Sequence, residues 1–137
     1  MIYLIDTNVL SQTRKPVPVP EVARWLSQRS VSDIRLSAVT VHELRYGIEI
    51  SDPGAKRRGL EQWLEQFVLP GLAGHILPVD AEVADCCGRL VAACKKDKYR
   101  PELADALIAA TAKVHGLQVA TLNRKHFEPL DVELVKF

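Results

Sequence analysis

Short aliphatic runs that lack strict period-2 alternation recur along this chain, each separated from the next by residues at helical spacing, and no other feature limits the fold as tightly. IYLI (2–5), IRLSAV (34–39), HILPV (75–79) and LQVATL (117–122) read as strands, with DVELVKF (131–137) as a fifth at the edge. Strands of this kind are buried on both faces, which is the situation in a parallel sheet covered by helices. Between them, VARWLSQR, VHELRYGIEI, AEVADCCGRLVAACKK and ELADALIAATAKVHG read as helices, the last closed by Gly116 as a C-terminal cap. A further helix over 55–68 carries one apolar stripe of Leu60, Trp63, Leu64, Phe67 and Val68. The expected fold is a three-layer α/β domain, a parallel sheet of about four or five strands flanked by helices, with residues 1–137 forming a single domain.

The size supports this: 137 residues, 47% of them hydrophobic, suffice for one core without covalent staples. Eighteen basic and seventeen acidic residues leave a formal charge of +1, so no overall field marks a nucleic-acid or membrane protein, and any basic patch must be local. No apolar stretch reaches transmembrane length, and Asp6 interrupts the first run too early for a signal peptide, so a cytoplasmic protein without membrane contact is expected. Cys86, Cys87 and Cys94 are odd in number and lack paired C-x-x-C spacing, which leaves them as small packing residues on a helix with Val83, Leu90 and Val91. His42-Glu43 begins like a zinc-protease helix, but Tyr46 stands where the second histidine would be needed.

Three acids carry the chemical signal. Asp6 ends the first strand; in an open parallel sheet that is the rim where ligands bind, beside the point at which strand order reverses. Taken alone it reads equally as a cap whose carboxylate bonds the amides of Asn8 or Val9. Glu43 follows Thr40 at capping-box spacing, and local evidence favours that role. Asp105 differs, because LADALIAATA (103–112) holds no other ionisable side chain and is apolar around most of its circumference. Pro101-Glu102 open this helix and set Asp105 beyond its first residues, so its carboxylate calls for a cation. No lysine or arginine adjoins Asp6 or Asp105, and Arg45 stands about 200° round the helix from Glu43. Carboxylates gathered at one rim without cationic side chains need a hard divalent ion, Mg²⁺ or Mn²⁺. Such an ion serves phosphodiester hydrolysis by activating a water and neutralising charge at phosphorus.

Taken together, IDTNVLS (5–11), LSAVTVHELRYGIE (36–49), FVLPGLAGHILPVD (67–80) and DALIAATAKVHGLQVATLN (105–123) resemble a PIN-domain ribonuclease of the VapC toxin type over almost the whole chain. The resemblance implies that Asp6, Glu43 and Asp105 are the catalytic, metal-binding acids, that Thr7, Asn8 and Thr121 support them from behind, and that the products carry a 5′-phosphate and a 3′-hydroxyl. It also implies a cognate antitoxin, an RNA substrate and a homodimer. The departure is TLNRKHF (121–127): the family commonly has an acid at the position of Asn123 or of His126, and this chain has neither. The amide oxygen of Asn123 can reach the rim and join the metal ligands, whereas His126 reads as a surface or packing residue. The expectation is one tightly held metal, a second arriving only with the RNA phosphate, and higher activity in Mn²⁺ than in Mg²⁺.

Lys56, Arg57 and Arg58 lie in the first turn of the 55–68 helix, where the macrodipole disfavours cations. With Lys95, Lys96, Lys98 and Arg100 they are candidate phosphate contacts, although a solvated polar helix end is the plainer reading. One rival function is a catalytically weak PIN module that binds RNA or a partner without cutting. Another, a phosphatase or phospho-receiver domain, fits less well: the former wants an aspartate where Asn8 stands, the latter an aspartate after the third strand.

Overall fold

The computed structural model describes residues 1–137. Four strands, β1 (Tyr3–Ile5), β2 (Ile34–Ser37), β3 (Ile76–Leu77) and β4 (Gln118–Ala120), form one parallel sheet in the order β3-β2-β1-β4. The chain moves outward from β1 through β2 to β3 and then returns to the other side of β1, so strand order reverses between β1 and β4. The crevice for a ligand is therefore expected above those two strands.

Successive side chains of a strand point to opposite faces, and both faces are covered. Leu4 and Val119 enter a core formed with the helices α3 (Ala38–Glu49), α6 (Ala81–Lys96) and α7 (Leu103–His115). Ile5 and Ala120 enter a second core with α1 (Thr7–Leu10), α2 (Pro20–Ser27) and α4 (Ala55–Gln62) with its continuation. The three-layer expectation is met. Gly116 closes α7 in the left-handed conformation at φ 65°, as its place in the sequence predicts. Cys86, Cys87 and Cys94 are free, with Cys87 and Cys94 in the core. No helix is long and apolar enough to cross a membrane.

Four expectations need correction. The fifth strand shrinks to a single bridge between Val119 and Leu134. In a three-residue strand already paired to β1 on one side, only the middle residue turns its N–H and C=O outward. Both groups of Val119 are used, its N–H donating to Glu133 O and its C=O accepting from Val135 N–H, each at 2.9 Å. The 55–68 helix runs on through a wider π-wound segment, Trp63–Val68, into α5 (Leu69–Gly71); Leu64 and Val68 stay buried, but Phe67 turns out of the stripe and is 68% exposed. Strand β2 ends at Ser37, whose hydroxyl caps α3 by accepting from Val39 N–H at 3.0 Å. With the cap at Ser37, Thr40 lies inside the helix and no Thr40–Glu43 capping box forms. Finally, α7 begins at Leu103 with Glu102 extended before it, which puts Asp105 in the first turn rather than beyond it. A helix N-terminus suits a carboxylate, so this position softens the cost of burying Asp105.

Two further helix-like turns follow β4. The first, α8 (Arg124–Phe127), is pinned by Phe127, which is fully buried, and by Arg124 Nη1 donating to Val135 O at 2.7 Å. The second is a 3₁₀ turn, Glu128–Leu130, that leads to the bridge at Leu134.

Candidate active site

At the reversal point the backbone N–H of Asp6 donates to Ala120 O at 2.9 Å, which ties the ends of β1 and β4 together. The Asp6 carboxylate is 4% exposed and uses both oxygens: Oδ1 accepts from Thr7 N–H and Oδ2 from the Thr121 hydroxyl, each at 2.8 Å. The cap reading of Asp6 thus holds in part, through the amide of Thr7 rather than those of Asn8 or Val9. Asn8 serves the rim differently, its Oδ1 accepting from Leu122 N–H at 3.1 Å. Thr121 in turn accepts from Asn123 N–H at 2.9 Å, so one threonine fixes both the acid and the turn that follows β4.

Glu43 is held from below. The Thr7 hydroxyl donates to its Oε1 at 2.8 Å and stands 3.2 Å from Thr40 Oγ1. A glutamate released from helix capping is thereby aimed at the crevice. Asp105, with a side chain 14% exposed, projects from the first turn of α7 toward the same space.

These groups line one cleft of about 250 Å³: Asp6, Thr7, Asn8, Glu43, Glu102, Asp105, Asn123 and His126, with no apolar side chain, lysine or arginine among them. A larger hollow of about 440 Å³ lies beneath the far end of α7, around Gly116 and Asp131, but it gathers no set of convergent acids. The structure therefore brings Asp6, Glu43, Asp105 and Asn123 together, with Thr7, Asn8 and Thr121 bonded around them. Two residues in the lining are absent from the sequence-based set. Glu102 stands three residues before Asp105 and His126 three after Asn123, in each case across the start of a helix rather than along one helical face, so sequence proximity to a site residue is what they share. That proximity is the available signal. His126 is half exposed, and its Nδ1 lies 3.3 Å from Asp105 Oδ2.

Electrostatics set these acids apart from surface carboxylates. Burial raises the proton affinity of Asp6, against the hydrogen bonds from Thr121, Thr7 and Asn8. Burial raises that of Glu43 too, opposed by the Thr7 hydroxyl and reinforced by the charge of Asp6. Asp105 is raised by burial and then by Asp6, with His126 opposing. Each ionised acid makes the next harder to ionise.

The donor set fits a divalent cation: the carboxylates of Asp6, Glu43, Glu102 and Asp105, the amide oxygens of Asn8 and Asn123 and one imidazole, without a lysine or arginine to neutralise them. No three His, Cys, Asp or Glu side chains close on a common point as a complete cage. Mg²⁺ and similar ions tolerate this, since they keep several waters and take only one or two carboxylates directly.

The basic candidates lie outside the cleft. Arg57 is engaged by Glu61 at 3.0 Å and Glu49 at 3.3 Å, and also donates to Ser51 O. Lys56, Arg58, Lys95 and Lys96 are exposed.

A parallel sheet with an all-polar acidic cleft at its reversal point defines a class, and comparison with known proteins assigns it. Residues 3–132 match the PIN domain family, and the chain belongs to that family. It is 42% identical over 131 residues to toxin FitB of Neisseria gonorrhoeae, covering 96% of this chain and 94% of that protein. It is 36% identical over 134 residues to VapC ribonuclease Y4jK of Sinorhizobium fredii, covering 98% and 96%. Among solved structures, a chain of the crystal structure of FitAcB from Neisseria gonorrhoeae superimposes with a TM-score of 0.91 at 40% identity, covering 98% of this chain and 97% of that one.

Proposed function

We propose that this chain is a divalent-metal-dependent endoribonuclease, a toxin held in check by a cognate antitoxin. The observation that carries the reading is the convergence of Asp6, Glu43 and Asp105, drawn from three distant segments, on one cleft that offers no lysine or arginine to neutralise them. Similarity to a VapC ribonuclease and to FitB supports it, and the FitAcB complex supports a protein partner. A homodimer working in the cytoplasm completes the proposal.

Asp6, Glu43 and Asp105, with the amide oxygen of Asn123, would hold Mg²⁺ or Mn²⁺. When bound, the ion supplies an activated water and neutralises charge developing at phosphorus. The chain supplies orientation. Thr7 N–H and the Thr121 hydroxyl fix the Asp6 carboxylate, the Thr7 hydroxyl fixes Glu43, and the turn at Thr121–Asn123 sets the opposite wall. Cleavage of RNA by the purified chain in Mg²⁺ or Mn²⁺, leaving 5′-phosphate and 3′-hydroxyl ends, is the direct test. Intact RNA in both metals would leave the binding module as the better reading, to which the missing acid at Asn123 already lends weight.

Asn123→Asp is expected to tighten metal binding by adding a charge to a wall already in place. Asn123→Ala is expected to slow cleavage, but by less than loss of any of the three acids. Calorimetry on the free protein reads the first outcome, and two equal tight sites in the unaltered chain would refute the single-metal scheme.

RNA binding has a separate prediction. Because Arg57 is occupied by Glu49 and Glu61, the alanine variant that matters is Lys56/Arg58, and Lys95/Lys96 is its counterpart on α6. If these residues meet phosphates, the slope of log affinity against log salt falls by roughly 0.7 for each phosphate left without its cation. An unchanged slope removes that helix from the interface.

A further inference from the structure

We propose that the His126 ring takes the place of the acid missing from the segment after β4, its Nδ1 binding the divalent ion directly, so that the site mixes nitrogen with oxygen and favours Mn²⁺ over Mg²⁺. This rests on the metal-dependent reading above and assigns to that site a ligand unlike the carboxylates around it.

The backbone puts His126 in position. Asn123 immediately precedes α8 and His126 lies within it; both line the cleft, and His126 N–H donates to Asn123 O at 3.0 Å. The helix cannot drift, because Phe127 is fully buried beneath it and the Tyr99 hydroxyl reaches His126 O at 3.5 Å. The ring meets Asp105 with its Nδ1 3.3 Å from Oδ2. Two ligands about 2.0–2.2 Å from one ion and roughly at right angles stand about 3 Å apart, so this separation already suits a shared ion. On the other side of the cleft, Asp6 and Glu43 are each turned by threonine hydroxyls and leave lone pairs facing the same space. The alternative partner for Asp105, a lysine or arginine, is absent from the lining. Imidazole nitrogen serves transition-row ions far better than it serves Mg²⁺, which is the origin of the preference.

The experiment uses the full chain labelled with ¹⁵N-histidine and loaded with Mn²⁺. Pulsed electron paramagnetic resonance is expected to show one directly bound histidine nitrogen, lost in His126→Ala. Because His126 is half exposed, that variant keeps its fold. Calorimetry on the same pair is expected to show Mn²⁺ affinity reduced about tenfold or more and Mg²⁺ affinity unchanged. His126→Asp should reverse the order and tighten Mg²⁺. Bound Mn²⁺ with no histidine coupling would overturn the proposal and leave His126 as a plain neighbour of Asp105 at the rim of the cleft. So would a coupling that survives in His126→Ala and vanishes in His42→Ala, since His42 adjoins Glu43. Failure of the nuclease reading looks different: RNA stays whole in every metal while the nitrogen coupling is present.

Discussion

Asp105→Asn is expected to reduce RNA cleavage by at least about 10²-fold while the metal-free protein melts at the same temperature or higher. Both halves follow from one cause. Burial and the charge of Asp6 raise the folded-state proton affinity of Asp105, and Asp6 and Glu43 are raised as well. A carboxyl group whose folded value lies above its unfolded one contributes stability that is complete below the unfolded value and is lost as pH rises through the folded one. The metal-free protein therefore loses stability from these three groups as pH climbs from about 4 toward neutrality, and a divalent ion restores it. Thermal unfolding across that range, in chelator and then in Mg²⁺, reads the effect; Asp105→Asn should flatten the chelator curve. Glu43→Gln should behave alike, since its helix is capped by Ser37. Asp6→Asn should gain less, because both carboxylate oxygens accept hydrogen bonds and an amide can supply only one of them, at a cost of about 1 kcal/mol. A large drop in metal-free melting temperature for all three variants would make them structural residues and remove the basis of the proposed chemistry.

The second large effect belongs to a residue outside the cleft. Phe127→Ala is expected to cost about 3–5 kcal/mol, a major share of the stability of a domain this size. Phe127 is fully buried in the core shared by α6 and α7, and it is the anchor that holds α8, and with it Asn123 and His126, against the rim. Removing the ring leaves a cavity and frees that wall together. Denaturant unfolding measures the first, and metal titration of the still-folded fraction the second. A loss below about 1 kcal/mol would show that the wall is held by its hydrogen bonds alone.

How much of this the sequence discloses depends on the range of the forces involved. Apolar strands and the Gly116 cap are local signals, and they locate β1, β2, β4 and the end of α7 to within a residue or two. Asp6, Glu43 and Asp105 are legible because each is an acid without a local cation. Glu43 shows the limit of local reasoning: Thr40-x-x-Glu43 is a sound capping motif, yet Ser37, three residues earlier, ends the strand and takes the cap first. Phe67 fits the stripe at ordinary helical spacing, and only the π-wound segment turns it outward. The bonds from Thr121 to Asp6 and from Thr7 to Glu43 join segments that meet only through sheet order, which no local pattern encodes. His126 reads as a bystander in the sequence for the same reason: its environment is made by α7, across the cleft.

Because β1 lies between β2 and β4, the first strand made is completed by the last. The hydroxyl that orients Asp6 belongs to Thr121, 115 residues further along the chain, and Asp105 too comes from a distant segment. A polypeptide that has not yet placed β4 beside β1 therefore carries an unfinished site. The acids and the threonine that aims Asp6 stand together only once β4 has docked against β1.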